Sequence, residues 1–265
     1  MTKRLHAGLA AKNGVLAAKL AKDGFTSNFR ILERPKGFFQ TFARDLPVEN
    51  GPLDNLGAQF DLVETGIRIK SYPCGGRTHS AVDALLALRA RHGITREEVE
   101  RIHVSVTQQT HESIVYHRPE TGLQGKFSMP YILARALIQG RLRLDDFTDE
   151  AIKDISVREL AEKISMEHDP ELKDDGTGRR PSRVVIHLKD GRTLSHRVDY
   201  PKGGREVPLI PEEVRGKFME CAGTTMGAGA IDQAIEHLGR LEEFDHLEPL
   251  FQLLSGELAN RRNPG

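Results

Sequence analysis

A chain of 265 residues is long enough to bury a substantial core and holds one large domain or two small ones. Its 38 basic residues balance 38 acidic ones, so no global field points to nucleic acid or an anionic membrane. No apolar run approaches membrane-spanning length, and the basic start Met1-Thr2-Lys3-Arg4-Leu5-His6 has no long apolar stretch behind it, which predicts a cytoplasmic protein without a secretory signal.

Residues 3–23 read as a helix. Thr2 suits the N-cap, Leu5, Leu9, Leu16 and Leu20 recur at helical spacing, and Gly24 ends it. A short helix is predicted from Gly37 to Asp45. A loop follows over Leu46–Leu56, where Pro47, Gly51, Pro52 and Asn55 cluster. From about residue 64 strand and helix signals alternate. Ile67–Lys70 is strand-like, and Ile102, Val104 and Val106 alternate with polar residues as in a half-buried strand. Arg183–Leu188 and Thr193–Tyr200 flank Lys189-Asp190-Gly191-Arg192, a hairpin signal. Helices are expected over 79–92, 128–139, 149–163 and 211–222, and Leu172–Pro181 reads as an exposed loop. Beyond Gly223 the pattern is helical again, over Ala228–Leu241 and His246–Leu254, before a frayed tail at Ala259–Gly265.

The predicted class is therefore α+β: an all-helical domain, incomplete here, interrupted by an inserted α+β domain. The boundaries are 1–60 for two helices, 61–223 for the insert and 224–265 for the returning helices. Four short helices give a thin core for a bundle of their own. They must pack on the insert, on another chain, or on helices upstream.

The most informative segment runs from Lys70 through Ser71-Tyr72-Pro73-Cys74-Gly75-Gly76-Arg77-Thr78 to His79. It joins a strand-like stretch to a helix, and such joints display reactive side chains on rigid scaffolds. A cation beside an imidazole suits chemistry on a carboxylate: one pins the anion, the other moves a proton. Spacing alone leaves open that Lys70 is a solvated strand end and His79 a polar first-turn residue. Lys3 and His6, at the start of the first helix, suit an anion or are simply an exposed first turn. In Lys126-Phe127-Ser128-Met129-Pro130-Tyr131, Ser128 suits an N-cap and Pro130 the first turn. Tyr131 then faces a pocket mouth as a proton donor, or packs on the core. The remaining histidines show no metal-ligand spacing, and the glycines around Thr224-Thr225-Met226 lack the Lys-Ser/Thr of a phosphate loop. The two cysteines, Cys74 and Cys221, cannot supply a four-cysteine zinc site or the usual ligands of an iron–sulfur cluster.

Taken in order, four blocks resemble the MmgE/PrpD family, which includes 2-methylcitrate dehydratases and cis-aconitate decarboxylases. They are Thr2-Lys3-Arg4-Leu5-His6-Ala7-Gly8 with Gly24-Phe25-Thr26; Lys70 through His79 with Ala81 and Asp83-Ala84; Gly125 through Tyr131; and Asp190-Gly191-Arg192 with Pro201-Lys202-Gly203 and Lys217-Phe218. The resemblance implies a helical domain interrupted by an α+β lid, with the active site in the cleft between them. It implies that Lys3, Lys70 and Tyr131 match cleft positions and that His79 matches a histidine of the lid block; the expected catalytic residues are Lys70, His79 and Tyr131, and the expected substrate contacts Lys3, His6 and Arg77. Some relatives carry a histidine five residues after the lysine that Lys70 matches, where this chain has Gly75. Family members also have a long helical region upstream of the Lys3 block. This chain is therefore expected to be a C-terminal part of such a protein.

The function implied is a cofactor-independent lyase, with no metal, that dehydrates or decarboxylates a small di- or tricarboxylate such as 2-methylcitrate (and so a place in propionate metabolism) or cis-aconitate. The expected partners are the polycarboxylate and either a second copy or a chain supplying the missing helices, with no nucleic acid and no membrane. Two alternatives stay open: a non-catalytic remnant or partner-dependent subunit, and an isomerase or epimerase of the same family.

Overall fold

A computed structural model of the chain describes residues 2–43, 57–58, 60–64, 66–176 and 178–255. The expected loop over 46–56, the last two residues of the second predicted helix and the tail over 259–265 lie outside the described residues. The chain divides into two units, Met1–Phe60 and Asp61–Gly265.

The first unit contains helix α1 (Thr2–Lys22) and helix α2 (Phe38–Ala43). The predicted first helix forms with Thr2 inside it, and Gly24 follows it with a positive φ of 86°. Its leucines at 5, 9, 16 and 20 are exposed.

The second unit is mixed α+β. A short helix α3 (Asp61–Glu64) leads to an extended stretch through Lys70. Next come α4 (His79–His92), β1 (Val99–Val106), α5 (Gln108–Ser113), α6 (Gly122–Gly125) and α7 (Met129–Gln139). Two 3₁₀ turns precede α8 (Ile155–Ala161), β2 (Ile164–His168), β3 (Ser182–Leu188) and β4 (Thr193–Val198). The unit closes with α9 (Pro211–Ala222), α10 (Ala228–Leu238) and α11 (Glu248–Leu254).

The four strands form one sheet in the order β2-β1-β3-β4. β1 pairs parallel with β2 and antiparallel with β3, and β3 pairs antiparallel with β4. The parallel pair needs a long crossover, which α5 to α8 provide. The predicted hairpin forms at Asp190-Gly191, where Gly191 adopts φ 88°. One sheet face is apolar: Ile102 and Val104 stand opposite Ile186 and Val184 in register and are fully buried. Helices α4 and α7 cover that face through Leu85, Leu88, Ile132 and Leu133, each buried in the same cluster. Helix α7 is buried on almost every side, so its apolar character runs all round. Ser128 caps it, accepting from the Tyr131 N–H, and Gly140 ends it in the left-handed region.

Three expectations change. Among the described residues Ile67–Lys70 joins no sheet; instead the Ile69 N–H donates 2.8 Å to the Gly203 carbonyl. The helix expected over 149–163 is broken at Asp154, whose carboxylate accepts from Ser156 N–H (3.0 Å) and Val157 N–H (3.4 Å) and restarts the chain as α8. That helix ends at Ala161 because Ile164 and Met166 enter the unpredicted strand β2 against β1. Finally, the loop expected to be exposed over 172–181 is partly interior, with Leu172 only 2% exposed and Gly178 buried.

Candidate active site

The turn from Lys70 to His79 is held by its own backbone. The Lys70 ammonium donates 3.1 Å to the Cys74 carbonyl. The Thr78 N–H and hydroxyl both donate to the Gly75 carbonyl, at 2.9 and 2.8 Å. The Gly75 N–H donates 2.8 Å to Lys126, tying the turn to the segment that opens α7. A side chain at Gly75 would press on Ile114 and the Lys126 carbonyl at 3.2 Å, so either neighbour would have to give way by a few tenths of an ångström.

A carboxylate braces the turn from the other side. Asp83, half-buried on α4, accepts from the Tyr72 hydroxyl at 2.6 Å and from the Lys202 N–H at 2.8 Å. Ser71 adds a bond from its hydroxyl to the Lys202 carbonyl, at 2.9 Å. Burial raises the Asp83 carboxyl above its ordinary value although both hydrogen bonds oppose that rise. Burial, then Asp83, pushes the Tyr72 phenol up, so it stays a donor. The Tyr72 ring meets the His79 ring edge-on, with centroids 5.2 Å apart.

His79 is the first residue of α4 and is 3% exposed. Its Nε2 is buried without a hydrogen-bond partner. Burial, with Lys70 and Arg180 close by, holds its pKa down at about 4. The imidazole is thus neutral near pH 7.

Lys70 and His79 line one cavity of about 230 Å³. Arg68, Arg180 and Lys202 line it too, with Glu206 as its one carboxylate. Lys202 is already ion-paired with Glu213. Among the described residues Arg68, Lys70 and Arg180 pair with no carboxylate. Burial, then the charges of Arg77 and Arg68, lower the Arg180 pKa, with Asp174 opposing them. A neutral chain therefore contains a strongly positive hollow beside a neutral histidine.

The other sequence candidates lie elsewhere. Arg77 is committed to Asp174 at 2.9 Å and Gln109 at 2.7 Å and does not line the cavity. Tyr131 is 2% exposed; its hydroxyl donates to the Asp146 carbonyl, and it lines a different hollow beside His117 and Arg158. Burial raises its pKa against the pull of Arg135. Lys3 and His6 stand three residues apart on α1 in the first unit, with His6 exposed. Sequence reasoning gave no site role to Arg68 or Arg180, nor to Asp83 and Lys202, although the last two stand in the blocks that carry the resemblance. Spacing carried no sign of Arg180, which reaches the cavity from a loop more than a hundred residues downstream of Lys70. Among the described residues no three of His, Cys, Asp and Glu converge as a metal site, and no described helix is long and apolar enough to cross a membrane.

Residues 72–240, which carry this turn from Tyr72 onward, its brace and the sheet, match the MmgE/PrpD C-terminal domain. The chain belongs to the MmgE/PrpD family. Residues 1–50 match the MmgE/PrpD N-terminal domain. The chain is 30% identical over 271 residues to a cis-aconitate decarboxylase of Aspergillus terreus, covering 96% of this chain and 55% of that protein. It is 29% identical over 268 residues to the mouse cis-aconitate decarboxylase, covering 96% of this chain and 52% of that protein. A mitochondrial 2-methylcitrate dehydratase of Yarrowia lipolytica is 34% identical over 104 residues, covering 34% of this chain and 20% of that protein. This MmgE/PrpD chain spans about half the length of the cis-aconitate decarboxylases it matches.

Proposed function

We propose that this chain carries the lid-domain half of the chemistry of a lyase that dehydrates or decarboxylates a small di- or tricarboxylate. The observation that carries the reading is the shared cavity of Lys70 and His79, lined by Arg68, Arg180 and Lys202 as well and by a single carboxylate, Glu206. Its relatives named as cis-aconitate decarboxylases and a 2-methylcitrate dehydratase support the substrate class.

Such a substrate brings two or three negative charges. Lys70 takes one carboxylate as a point charge. His79, neutral near pH 7, accepts the proton from the carbon beside a carboxylate. In dehydration the C–H electron pair becomes the C=C bond, the C–O bond breaks, and the proton returns from imidazolium to the departing hydroxyl as water. In decarboxylation the C–C bond to one carboxylate breaks, its electron pair stays on the carbon skeleton as carbon dioxide leaves, and His79, having taken a proton from solvent once the bound substrate offsets the nearby cations, delivers that proton to the skeleton. A positioned proton-transfer group contributes roughly 10²–10⁴-fold in rate. The substrate charge also offsets Lys70 and Arg180, two of the causes that hold the imidazole pKa down. Binding therefore makes His79 a better base when it is needed. These steps are written without Tyr131, whose hydroxyl donates to the Asp146 carbonyl.

The test is turnover of cis-aconitate and 2-methylcitrate by the 265-residue chain and by Lys70→Ala. We expect the substitution to remove at least about 99% of the activity, within the range that proton-transfer and charge contacts supply, with an unchanged circular dichroism spectrum. An equal rate in the variant, or no product from either acid with the unsubstituted chain, would sink the reading.

A further inference from the structure

Three glycines let the cations crowd this cavity. The position a Cβ would take on Gly76 lies 3.2 Å from the Arg180 guanidinium and 3.6 Å from the Lys70 stem, so both side chains flank one backbone position. A Cβ on Gly178 would overlap the Arg68 guanidinium. Gly203, at φ 96°, sits where any Cβ would overlap the Ile69 carbonyl. Arg180 reaches the Gly76 carbonyl at only 3.5 Å, a weak contact that leaves most of its donors free. Two arginines and a lysine are thus held together with Glu206 as the one carboxylate lining the cavity, and none of the three forms an ion pair among the described residues. Such an arrangement costs self-repulsion in the empty protein. Its sense is a ligand with more than one negative group.

We propose that Arg180, backed by Arg68, is a second carboxylate subsite that makes the cavity select ligands with at least two carboxylates, one on Lys70 and the other on the Arg180 fork. This rests on the lyase reading and assigns its specificity to a residue outside the Lys70–His79 turn. The planar guanidinium pairs a carboxylate through two parallel N–H donors, which an ammonium cannot do. The subsite discriminates a tricarboxylate from a monocarboxylate by an interaction the smaller acid never makes. It also fixes which end of the substrate lies beside His79.

The experiment measures ligand-induced thermal stabilisation and calorimetric affinity on the full chain, with propane-1,2,3-tricarboxylate as the probe. Propionate at equal carboxylate concentration and ionic strength is the control. The unsubstituted chain should be stabilised by the tricarboxylate and not by propionate. Arg180→Gln should bind the tricarboxylate about tenfold or more weakly, as expected for lost charged hydrogen bonds. It should also melt no lower than the parent without ligand, since a repelling charge has gone. Arg180→Lys should fall between them, which separates the fork from the charge. If Arg180→Gln binds as the parent does while Lys70→Gln is weakened, the subsite is wrong and the lyase reading stands. If Arg180→Gln melts lower with unchanged affinity, Arg180 is only a structural contact and the subsite is likewise wrong. If the parent shows no tricarboxylate stabilisation, the subsite and the lyase reading fall together.

Discussion

His79 shows at a single residue how burial and charge set function. An imidazole with an ordinary pKa of 6.5 is held at about 4 by burial, Lys70 and Arg180. The unfolded chain therefore binds a proton that the folded chain refuses. The stability this neutral histidine permits is full above about pH 6.5 and is lost as pH falls towards 4, by something on the order of 3 kcal/mol. Melting curves between pH 7.5 and 4 should show this acid limb, and His79→Gln should flatten it. Superimposable curves for parent and variant would mean that His79 contributes nothing to acid sensitivity. The residue was visible in the sequence as a histidine opening a helix. Its depressed basicity was not, because Arg180 comes from a distant segment and burial belongs to the packed chain.

At the scale of elements, the site depends on how the turn is joined to α4 and to the 201–204 segment. Asp83 makes that joint, accepting from the Tyr72 hydroxyl and the Lys202 N–H. Asp83→Ala leaves both donors without this partner in a half-buried setting, which should cost about 1–3 kcal/mol. The Tyr72 ring that packs on His79 would also be freed. Urea denaturation should register the loss, and turnover should fall although Asp83 touches no substrate in the proposed chemistry. An Asp83→Ala chain with parental stability and rate would show the joint to be dispensable. Local signals predicted most of the elements. The Asp190-Gly191 hairpin, the Ser128 cap and the Gly24 stop follow from residue types whose backbone preferences are intrinsic. The failures have one cause: competition from partners far away in sequence. Ile67–Lys70 has strand composition but pairs with a loop at Gly203, while Ile164–His168 becomes a strand because β1 offers an open edge. Asp154 breaks a helical pattern because its carboxylate satisfies N–H groups at the start of α8 better than a continuing helix could.

Across the whole molecule, equal numbers of acidic and basic residues conceal an uneven distribution. Several arginines on or beside the sheet are paired, as Arg135 is with Asp154 and Arg197 with Asp199. The cavity cations Arg68, Lys70 and Arg180 are not paired with carboxylates among the described residues. Recognition built on unpaired charge is screened by salt, since the Debye length falls from about 10 Å at 0.1 M to about 3 Å at 1 M. Tricarboxylate affinity should therefore drop severalfold or more between about 0.05 and 0.5 M sodium chloride in calorimetric titrations. A salt-independent affinity would assign recognition to something other than this charge cluster.

By itself the sequence determined the α+β class, the family resemblance and the Lys70–His79 turn. Each of these lives in local order: periodicity, turn residues and short ordered blocks that keep their meaning without neighbours. Only the tertiary structure decided which charges face one another. Folding brought Arg180 and Arg68 to the same hollow as Lys70, set Arg77 against Asp174, and turned the Tyr131 hydroxyl toward Asp146. Coulomb and desolvation energies depend on distance through space and on burial, and neither quantity is written in the spacing of residues along a chain.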